Sequence, residues 1–142
     1  MNTDFAFICD FAEAGAKLNA LGIGFDTIYA AQLPARHPHF SLVMQLRSSV
    51  AEAGQKKIQV NLMDDDGKDV IPPVQGQFNL PRAEGRTHAT GRFVMEFNGV
   101  EFKNYGSYTI TVAVEGMEVA ALPFRVAPRP NAPSPQQGLN PI

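Results

Sequence analysis

Apolar and polar residues alternate with a period of two along most of this chain. Tyr108, Ile110 and Val112 alternate with serine, threonine and alanine, and Phe93 and Phe97 belong to a second run of this kind. Because successive side chains of a strand point to opposite faces, the pattern predicts strands with one buried face and one face in water. The predicted strands lie near residues 4–12, 17–31, 39–50, 57–64, 74–80, 88–98, 106–115 and 117–127.

Turn-forming residues fall where these strands should end. The Asp-Gly pair inside residues 64–69 and the pair Glu115-Gly116 favour tight hairpin turns. Asn98-Gly99 and Pro72-Pro73 indicate two further strand ends. Short strands joined by turns predict an all-β fold class, namely an immunoglobulin-like antiparallel β-sandwich.

One segment, residues 12–21, has a composition that also suits a helix. Gly15 lies in the middle of this segment, and a glycine there would cost a helix about 1 kcal/mol. We therefore predict a hairpin turn at residues 13–16 instead of a helix.

The size and charge of the chain exclude several function classes. Its 142 residues fit one domain, and its net charge of −2 lacks the basic excess of nucleic-acid binders. The first residues lack the basic start of a signal peptide, and no apolar stretch is long enough to span a membrane, so we expect no membrane partner. Cys9 is the only cysteine, which rules out an internal disulfide and predicts a reducing, cytoplasmic location.

The C-terminal segment differs from the rest of the chain because it is rich in proline and poor in apolar side chains. Proline donates no ladder hydrogen bond, so this segment cannot join a sheet. We predict a β-sandwich domain at residues 1–127, followed by a proline-rich C-terminal arm at residues 128–142. The candidate interaction residues of the arm are Pro128, Pro130, Pro133 and Pro135.

A tyrosine-containing turn lies at residues 104–110, with the sequence Asn-Tyr-Gly-Ser-Tyr-Thr-Ile. It resembles the Asp-x-Gly-x-Tyr-x-Cys pattern of immunoglobulin-type sandwiches. In those domains the tyrosine packs inward and its hydroxyl bonds back to the loop backbone, an arrangement called the tyrosine corner. The resemblance implies structural roles for Asn104, Gly106 and Tyr108. Ile110 replaces the cysteine of the pattern, which fits apolar packing instead of a disulfide.

A second resemblance rests on strand and turn motifs. They are Cys9-Asp10 at a strand end, Lys-Leu-Asn-Ala-Leu-Gly at 17–22 and Pro-Ala-Arg-His-Pro at 34–38. Together they are similar to a small, poorly characterised bacterial family of β-sandwich domains without an assigned function. The similarity spans residues 5–127, with Ala16 in place of a glycine and Leu33 in place of a phenylalanine. It supports the fold and implies no activity.

An acidic loop at residues 64–69 is a candidate metal site. Carboxylate oxygens are the ligands that Ca²⁺ prefers, so Asp64, Asp66 and Asp69 are weak candidates for metal ligands. The spacing lacks the full EF-hand series and its closing glutamate. Because Asp-Gly is common in hairpin turns, we interpret the loop first as a turn and second as a calcium site.

Two histidines, His37 and His39, form a His-x-His pattern. On a regular strand this spacing places both imidazoles on one face, where they can bind a metal ion. Pro38 weakens the strand, and no third ligand can be assigned because His88 is far away in sequence. The pattern alone therefore gives a weak indication of a metal site.

Cys9 lies in a predicted strand whose alternate residues are phenylalanines. Phe5, Phe7 and Phe11 share its face, so we expect Cys9 to be buried as a small apolar side chain. No serine lies in a Gly-x-Ser-x-Gly elbow, and the chain has no glycine-rich phosphate loop. We therefore predict that the protein is not an enzyme and uses no cofactor.

Basic side chains concentrate at Arg82, Arg86, His88 and Arg92. His88 and Arg92 are an even number of positions apart, which places them on one face of a strand. Such a cluster can engage an anionic partner, but in a chain of negative total charge it is more often a solvated face.

These observations favour a non-enzymatic structural or protein-interaction module. We expect it to bind a protein, either a second copy of itself or an assembly partner, through edge strands and through the arm. The expected contacts lie in residues 1–12 and 128–142. The alternative is a β-sandwich that binds Ca²⁺ or carbohydrate at residues 64–69, although the lack of tryptophan argues against a sugar site. We expect no nucleic-acid partner.

Overall fold

The computed structural model describes residues 1–82 and 84–130 of the chain. Within these residues the protein is all-β, as predicted, and a short 3-10 helix covers Val50–Glu52. None of the described residues forms a helix long and apolar enough to cross a membrane. The strands occupy Asn2–Cys9 (β1), Phe11–Ala14 (β2), Leu18–Leu21 (β3), Thr27–Ala30 (β4), Ala35–Ser49 (β5), Gly54–Asp64 (β6), Val74–Leu80 (β7), His88–Phe102 (β8), Gly106–Val114 (β9) and Met117–Pro128 (β10).

The strands form a three-stranded sheet, a five-stranded sheet and a separate hairpin. The three-stranded sheet has the order β1-β5-β8, and the five-stranded sheet has the order β4-β10-β9-β6-β7. Neighbouring strands are antiparallel, except that β4 and β10 run parallel. The five-stranded sheet curls over the other one, so that β10 contacts β1 and β7 contacts β8. At the first of these seams, the Thr3 hydroxyl donates a hydrogen bond to the Val119 carbonyl at 2.7 Å.

The space between the two sheets is filled by an aromatic core. Phe40 is fully buried and stacks on Phe97 with a ring-centroid distance of 4.6 Å. Phe124 packs against Phe40 and against Tyr108, so the aromatic contacts run from one sheet to the other. The buried residues of this main core are Ile8, Ile28, Ala30, Phe40, Leu42, Met44, Leu46, Val60, Leu62, Phe97, Val100, Phe102, Tyr108, Ile110, Val112, Val114, Phe124 and Val126.

The alternation of buried side chains shifts by one residue inside the β5–β8 pair. Phe40 faces the core opposite Phe97, but the next inward pair along the ladder is His37 opposite Val100. The shift occurs at Pro38, which has no N–H, and at Gly99, whose φ of 62° suits glycine. The prediction that Asn98-Gly99 ends a strand is therefore wrong, because β8 continues to Phe102.

The predicted strands 4–12 and 17–31 are each divided in two. A bend at Asp10 separates β1 from β2, and residues 22–26 separate β3 from β4. Gly22 has a φ of 71°, and a Cβ there would collide with the Asp10 carboxylate, so only glycine lets the chain pass this point. The predicted hairpin is confirmed, because β2 pairs antiparallel with β3. Its turn lies at residues 15–17 instead of 13–16, because Glu13 and Ala14 belong to β2.

Candidate functional site

The β2–β3 hairpin lies over the outer face of the three-stranded sheet, where β2 contacts β5 and β8. A second apolar cluster fills this interface, with Cys9, Ala12 and Val43 buried and Phe5 and Phe7 partly buried. Burial raises the pKa of the Cys9 thiol, whose Sγ donates to the Phe11 carbonyl at 3.4 Å. Cys9 therefore lies in a core, as predicted, where its thiol is held protonated.

The outer surface of the same hairpin exposes large apolar side chains. Phe11 and Leu21 are paired across the hairpin, and they are 50% and 68% exposed. Ile23, just beyond β3, is 57% exposed. We call these three residues the apolar patch. The expectation that Phe11 joins the core with Cys9 is wrong, because the bend at Asp10 turns Phe11 outward.

A chain of polar side chains crosses the outer face beside the hairpin. His39 Nδ1 lies 2.8 Å from Asn98 Oδ1, and the Ser41 hydroxyl lies 3.3 Å from His39 Nε2. The amide oxygen of Asn98 places the imidazole proton on Nδ1, so Nε2 accepts a hydrogen bond from the serine. Ser41, His39 and Asn98 thus follow each other in the order of a nucleophile, a base and a residue that orients the base.

The burial of Ser41 decides what this chain of groups can do. Ser41 has no exposed surface, so its oxygen cannot reach a substrate carbonyl carbon in this conformation. Its hydrogen bond satisfies a hydroxyl that would otherwise be buried without a partner. The sequence motifs do not predict this arrangement, although His39 and Ser41 are spaced to share one face of a strand. Asn98 lies opposite His39 only because of the register between β5 and β8, and the sequence does not give this register.

The two histidines of the His-x-His pattern turn to different sides, because the alternation shifts between them. His39 faces outward to Asn98, whereas His37 packs with its ring centroid 5.8 Å from that of Phe40. The shared-face interpretation is therefore wrong. Among residues 1–82 and 84–130, no three His, Cys, Asp or Glu side chains are grouped to hold a metal ion.

The burial of His37 predicts that the stability of the fold depends on pH. Burial lowers the pKa of His37 below its ordinary value of 6.5, although the Asp10 carboxylate acts in the opposite direction. Its Nε2 atom is buried without a hydrogen-bond partner among the described residues. The unfolded state therefore binds the proton more readily than the folded state. The part of the stability that depends on neutral His37 is fully present above pH 6.5 and is lost as the pH falls through the folded-state pKa.

We expect His37→Gln to remove this part of the acid sensitivity, because glutamine does not titrate. Urea unfolding followed by circular dichroism at two pH values on either side of 6.5 measures the effect. The control is His88→Gln at an exposed position, which should keep the pH dependence of the parent. An unchanged pH dependence in His37→Gln would contradict the assignment.

The acidic loop is organised by Asp64 as a turn. One oxygen of its carboxylate accepts hydrogen bonds from the backbone N–H groups of Asp66 and Lys68, each at 2.9 Å. The Asp64 backbone also bonds to Lys68 and Gly67, which closes the turn. Asp69 forms an isolated bridge with Met63. This geometry accounts for the acidic residues as a hairpin turn, and the calcium interpretation stays a prediction.

The tyrosine-containing turn lies next to the acidic loop. The Tyr108 hydroxyl donates to the Asn104 carbonyl at 2.6 Å, which is the contact predicted for it. Gly106 has a φ of 135°, and a Cβ there would lie 3.3 Å from Asp65. Burial raises the pKa of Tyr108, and the Asp64 and Asp65 carboxylates raise it further. Asn104, Gly106 and Tyr108 thus hold the entry to β9.

The start of the predicted arm belongs to the sheet. Pro128 is the last residue of β10 and pairs with Ala30 of β4, and Arg129 donates its N–H to the same Ala30. A boundary at residue 128 therefore lies inside a strand, and Pro130 lies two residues beyond the end of that strand. Pro133 and Pro135 lie outside the described residues.

The basic cluster is divided among neighbouring depressions. Arg86 and Arg92 line the same basin, together with Arg47, which the sequence analysis did not include. Arg82 lines an adjacent depression near the 3-10 helix. His88 is exposed and its ring bonds to the Thr87 hydroxyl at 2.9 Å. Arg47 was missed because it lies on β5, far from the cluster in sequence.

Comparisons with solved structures give distant similarities, and 11 chains match. One is the Pseudomonas fluorescens alkylpurine DNA glycosylase AlkC bound to DNA containing an abasic site analog, with 15% identity and a TM-score of 0.42 over 72% of this chain and 28% of that one. Another is the beta-glucosidase from Listeria innocua in complex with isofagomine, with 14% identity and a TM-score of 0.46 over 72% of this chain and 15% of that one. The chain spans less than a third of the length of either protein.

The search of curated proteins found no match. The model of a family of unknown function, DUF6941, matches residues 4–127, which is most of the chain. This match confirms the resemblance to a poorly characterised family. The chain belongs to the family of unknown function DUF6941.

Proposed function

We propose that the protein is a non-enzymatic interaction module that associates with a second copy of itself through the β2–β3 hairpin. The observation that carries the proposal is the apolar patch, in which Phe11 and Leu21 lie side by side and are 50% and 68% exposed. Contiguous exposed apolar side chains of this kind mark interaction surfaces.

The pairing of the hairpin supports a second copy as the occupant. Within the described residues, β2 and β3 form a sheet of only two strands, so no further strand pairs with the outer edge of either one. A two-stranded sheet is marginally stable alone, and addition of an identical hairpin gives four strands. A two-fold axis at the open edge of β3, level with Gly22, would place Leu21 of each copy against Ile23 of the other.

We further propose that the arm, from residue 131 onward, contacts the neighbouring copy. Tyr29 and Tyr105 are exposed near the end of β10, and Tyr29 pairs directly with Ala127. The Tyr105 hydroxyl donates to the Ala30 carbonyl at 2.9 Å, which holds its ring beside β4. Exposed tyrosine rings are the surfaces on which proline-rich segments dock.

The finer description of the domain is part of the same proposal. We describe it as an immunoglobulin-like sandwich, supported by the Tyr108–Asn104 hydrogen bond and by the aromatic core between two sheets. The buried thiol of Cys9 is consistent with a reducing, cytoplasmic location. The inaccessible Ser41 is consistent with a role other than catalysis.

Light scattering of the full chain over a concentration series tests the proposal. We expect the parent to reach twice the mass of one chain, and we expect Phe11→Ser with Leu21→Ser to stay monomeric. Met117→Ser is the matched control, because Met117 is 73% exposed on a different hairpin. Deletion of residues 131–142 should weaken the dimer without unfolding the domain. A parent that stays monomeric, or a double variant that still dimerises, would overturn the proposal.

A further inference from the structure

A basin with three arginines lies at the seam between β7 and β8, away from the apolar patch. Its volume is about 500 Å³. Among the described residues that line it, none is acidic, although the chain as a whole has a net charge of −2. We call this site the arginine basin. Its lining residues are Gln45, Arg47, Asn79, Pro81, Arg86, Thr90, Gly91 and Arg92.

The register of the β5–β8 ladder brings two of the arginines together. Gln45 pairs with Arg92, and Arg47 pairs with Thr90, so these four side chains occupy adjacent rows on one face. Adjacent rows on one face of an antiparallel pair are within reach of long side chains. The strands thus place two guanidinium groups and two neutral polar groups side by side.

Gly91 lets β7 approach the backbone of β8 beside this face. A Cβ on Gly91 would lie 2.5 Å from Leu80 Cδ2 and 3.1 Å from Phe78 Cε2, so β7 packs directly on the glycine backbone. This close approach places Asn79 and Pro81 at the rim of the basin. The segment that follows β7 then carries Arg86 to the same opening.

Hydrogen bonds orient the two arginines of the ladder. Arg92 Nε donates to Gln45 Oε1 at 2.7 Å, and Arg92 also donates to the Ala16 carbonyl at 3.4 Å. Arg47 donates twice to Asp4 Oδ2, at 3.1 and 3.2 Å, and Gln45 donates to the same oxygen at 2.8 Å. These bonds from Gln45 and Arg47 hold the pKa of Asp4 below its ordinary value, so Asp4 stays ionised.

The charges of the basin fit a small dianion. Asp4 offsets the charge of Arg47, which leaves the charges of Arg86 and Arg92 at the opening. Guanidinium groups bind tetrahedral oxyanions through paired N–H donors, and Thr90 and Asn79 add neutral donors. Glu96 lies on the same face of β8 as Arg92, so the basic surface does not continue along this strand. This confinement favours a single phosphate over a polyanion.

We propose that the arginine basin binds a small phosphate monoester, with Arg86 and Arg92 contacting the phosphate. The volume exceeds that of a phosphate alone and lies within the range of small-molecule sites. The remainder of the basin, near Asn79 and Pro81, would contact the esterified group. This inference is independent of the self-association proposed above.

Calorimetric titration of the full chain with inorganic phosphate and with phenyl phosphate tests the proposal. We expect saturable binding of both probes, with the monoester tighter. Arg86→Ala with Arg92→Ala should weaken binding by at least roughly tenfold, since two charge-assisted contacts are lost. Arg36→Ala with Arg125→Ala is the matched control, because it removes the same charge from exposed arginines elsewhere. Circular dichroism checks that each variant is folded.

Three outcomes would overturn the proposal. One is that phosphate and its monoester do not saturate, and another is that the basin variant binds like the control variant. Equal affinity for the two probes would show that the site takes the free anion, which contradicts the monoester assignment. Tighter, strongly salt-dependent binding of a single-stranded oligonucleotide would show that the basin serves a polyanion instead.

Discussion

Replacing Phe40 by alanine is expected to lower the free energy of unfolding by about 3–5 kcal/mol, the range for deletion of a buried aromatic ring. Phe40 is fully buried, and its ring lies 4.6 Å from that of Phe97 and 6.1 Å from that of Phe124. These neighbours belong to different sheets, so the cavity would open between the layers, where neither sheet can close it alone. Urea unfolding monitored by circular dichroism measures the change.

The control for this variant is Met117→Ala at an exposed position. A surface substitution of this kind is expected to change the free energy of unfolding by about 0.5 kcal/mol or less. If the Phe40 and Met117 variants lost similar stability, Phe40 would not join the two sheets as described.

The second large effect is expected at Tyr108, where two substitutions separate two contributions. Tyr108→Ala removes a ring that stacks on Phe124 at 5.7 Å and meets Phe102 edge-on at 4.9 Å, so we expect a loss of about 3–5 kcal/mol. Tyr108→Phe removes only the hydrogen bond to the Asn104 carbonyl. Because Asn104 is exposed and water can replace the hydroxyl, we expect a loss of about 0.5–1.5 kcal/mol.

Thermal or urea unfolding of the two variants gives both values. Equal losses in Tyr108→Phe and Tyr108→Ala would assign the effect to the hydroxyl and contradict the packing argument. No loss in Tyr108→Phe would show that the hydrogen bond to the turn does not stabilise the entry to β9.

The sequence predicts those strands whose pattern of side chains is regular. β7 lies at the predicted residues, and the bounds of β6 and β9 lie within three residues of the predicted bounds. The alternation and the turn residues agree in these segments. The predicted bounds of β5 and β8 are less accurate. The alternation of buried side chains in this pair shifts at Pro38 and Gly99. A prediction based on a constant period of two therefore places a strand end where the shift occurs. The same assumption also places His37 on the face of His39, whereas the two side chains turn to different sides.

The candidate sites were less predictable than the strands, because they depend on register. Asn98 meets His39, and Arg92 meets Gln45, only because two strands from distant parts of the chain align in one way. Alternation states which face a residue occupies, but it does not state which residue lies opposite. The basic cluster was visible in the sequence, whereas the participation of Arg47 and Asp4 was not.

The β5–β8 ladder also bears on the order in which the chain folds. Strands β6 and β7 lie between its two members in sequence, so the ladder cannot grow outward from a tight turn. Its formation must close a long loop before most of its contacts exist, which gives the domain a high contact order and slow folding. Until that closure, the apolar faces of β5 and β8 have no cover, and the chain is open to misassembly with its neighbours.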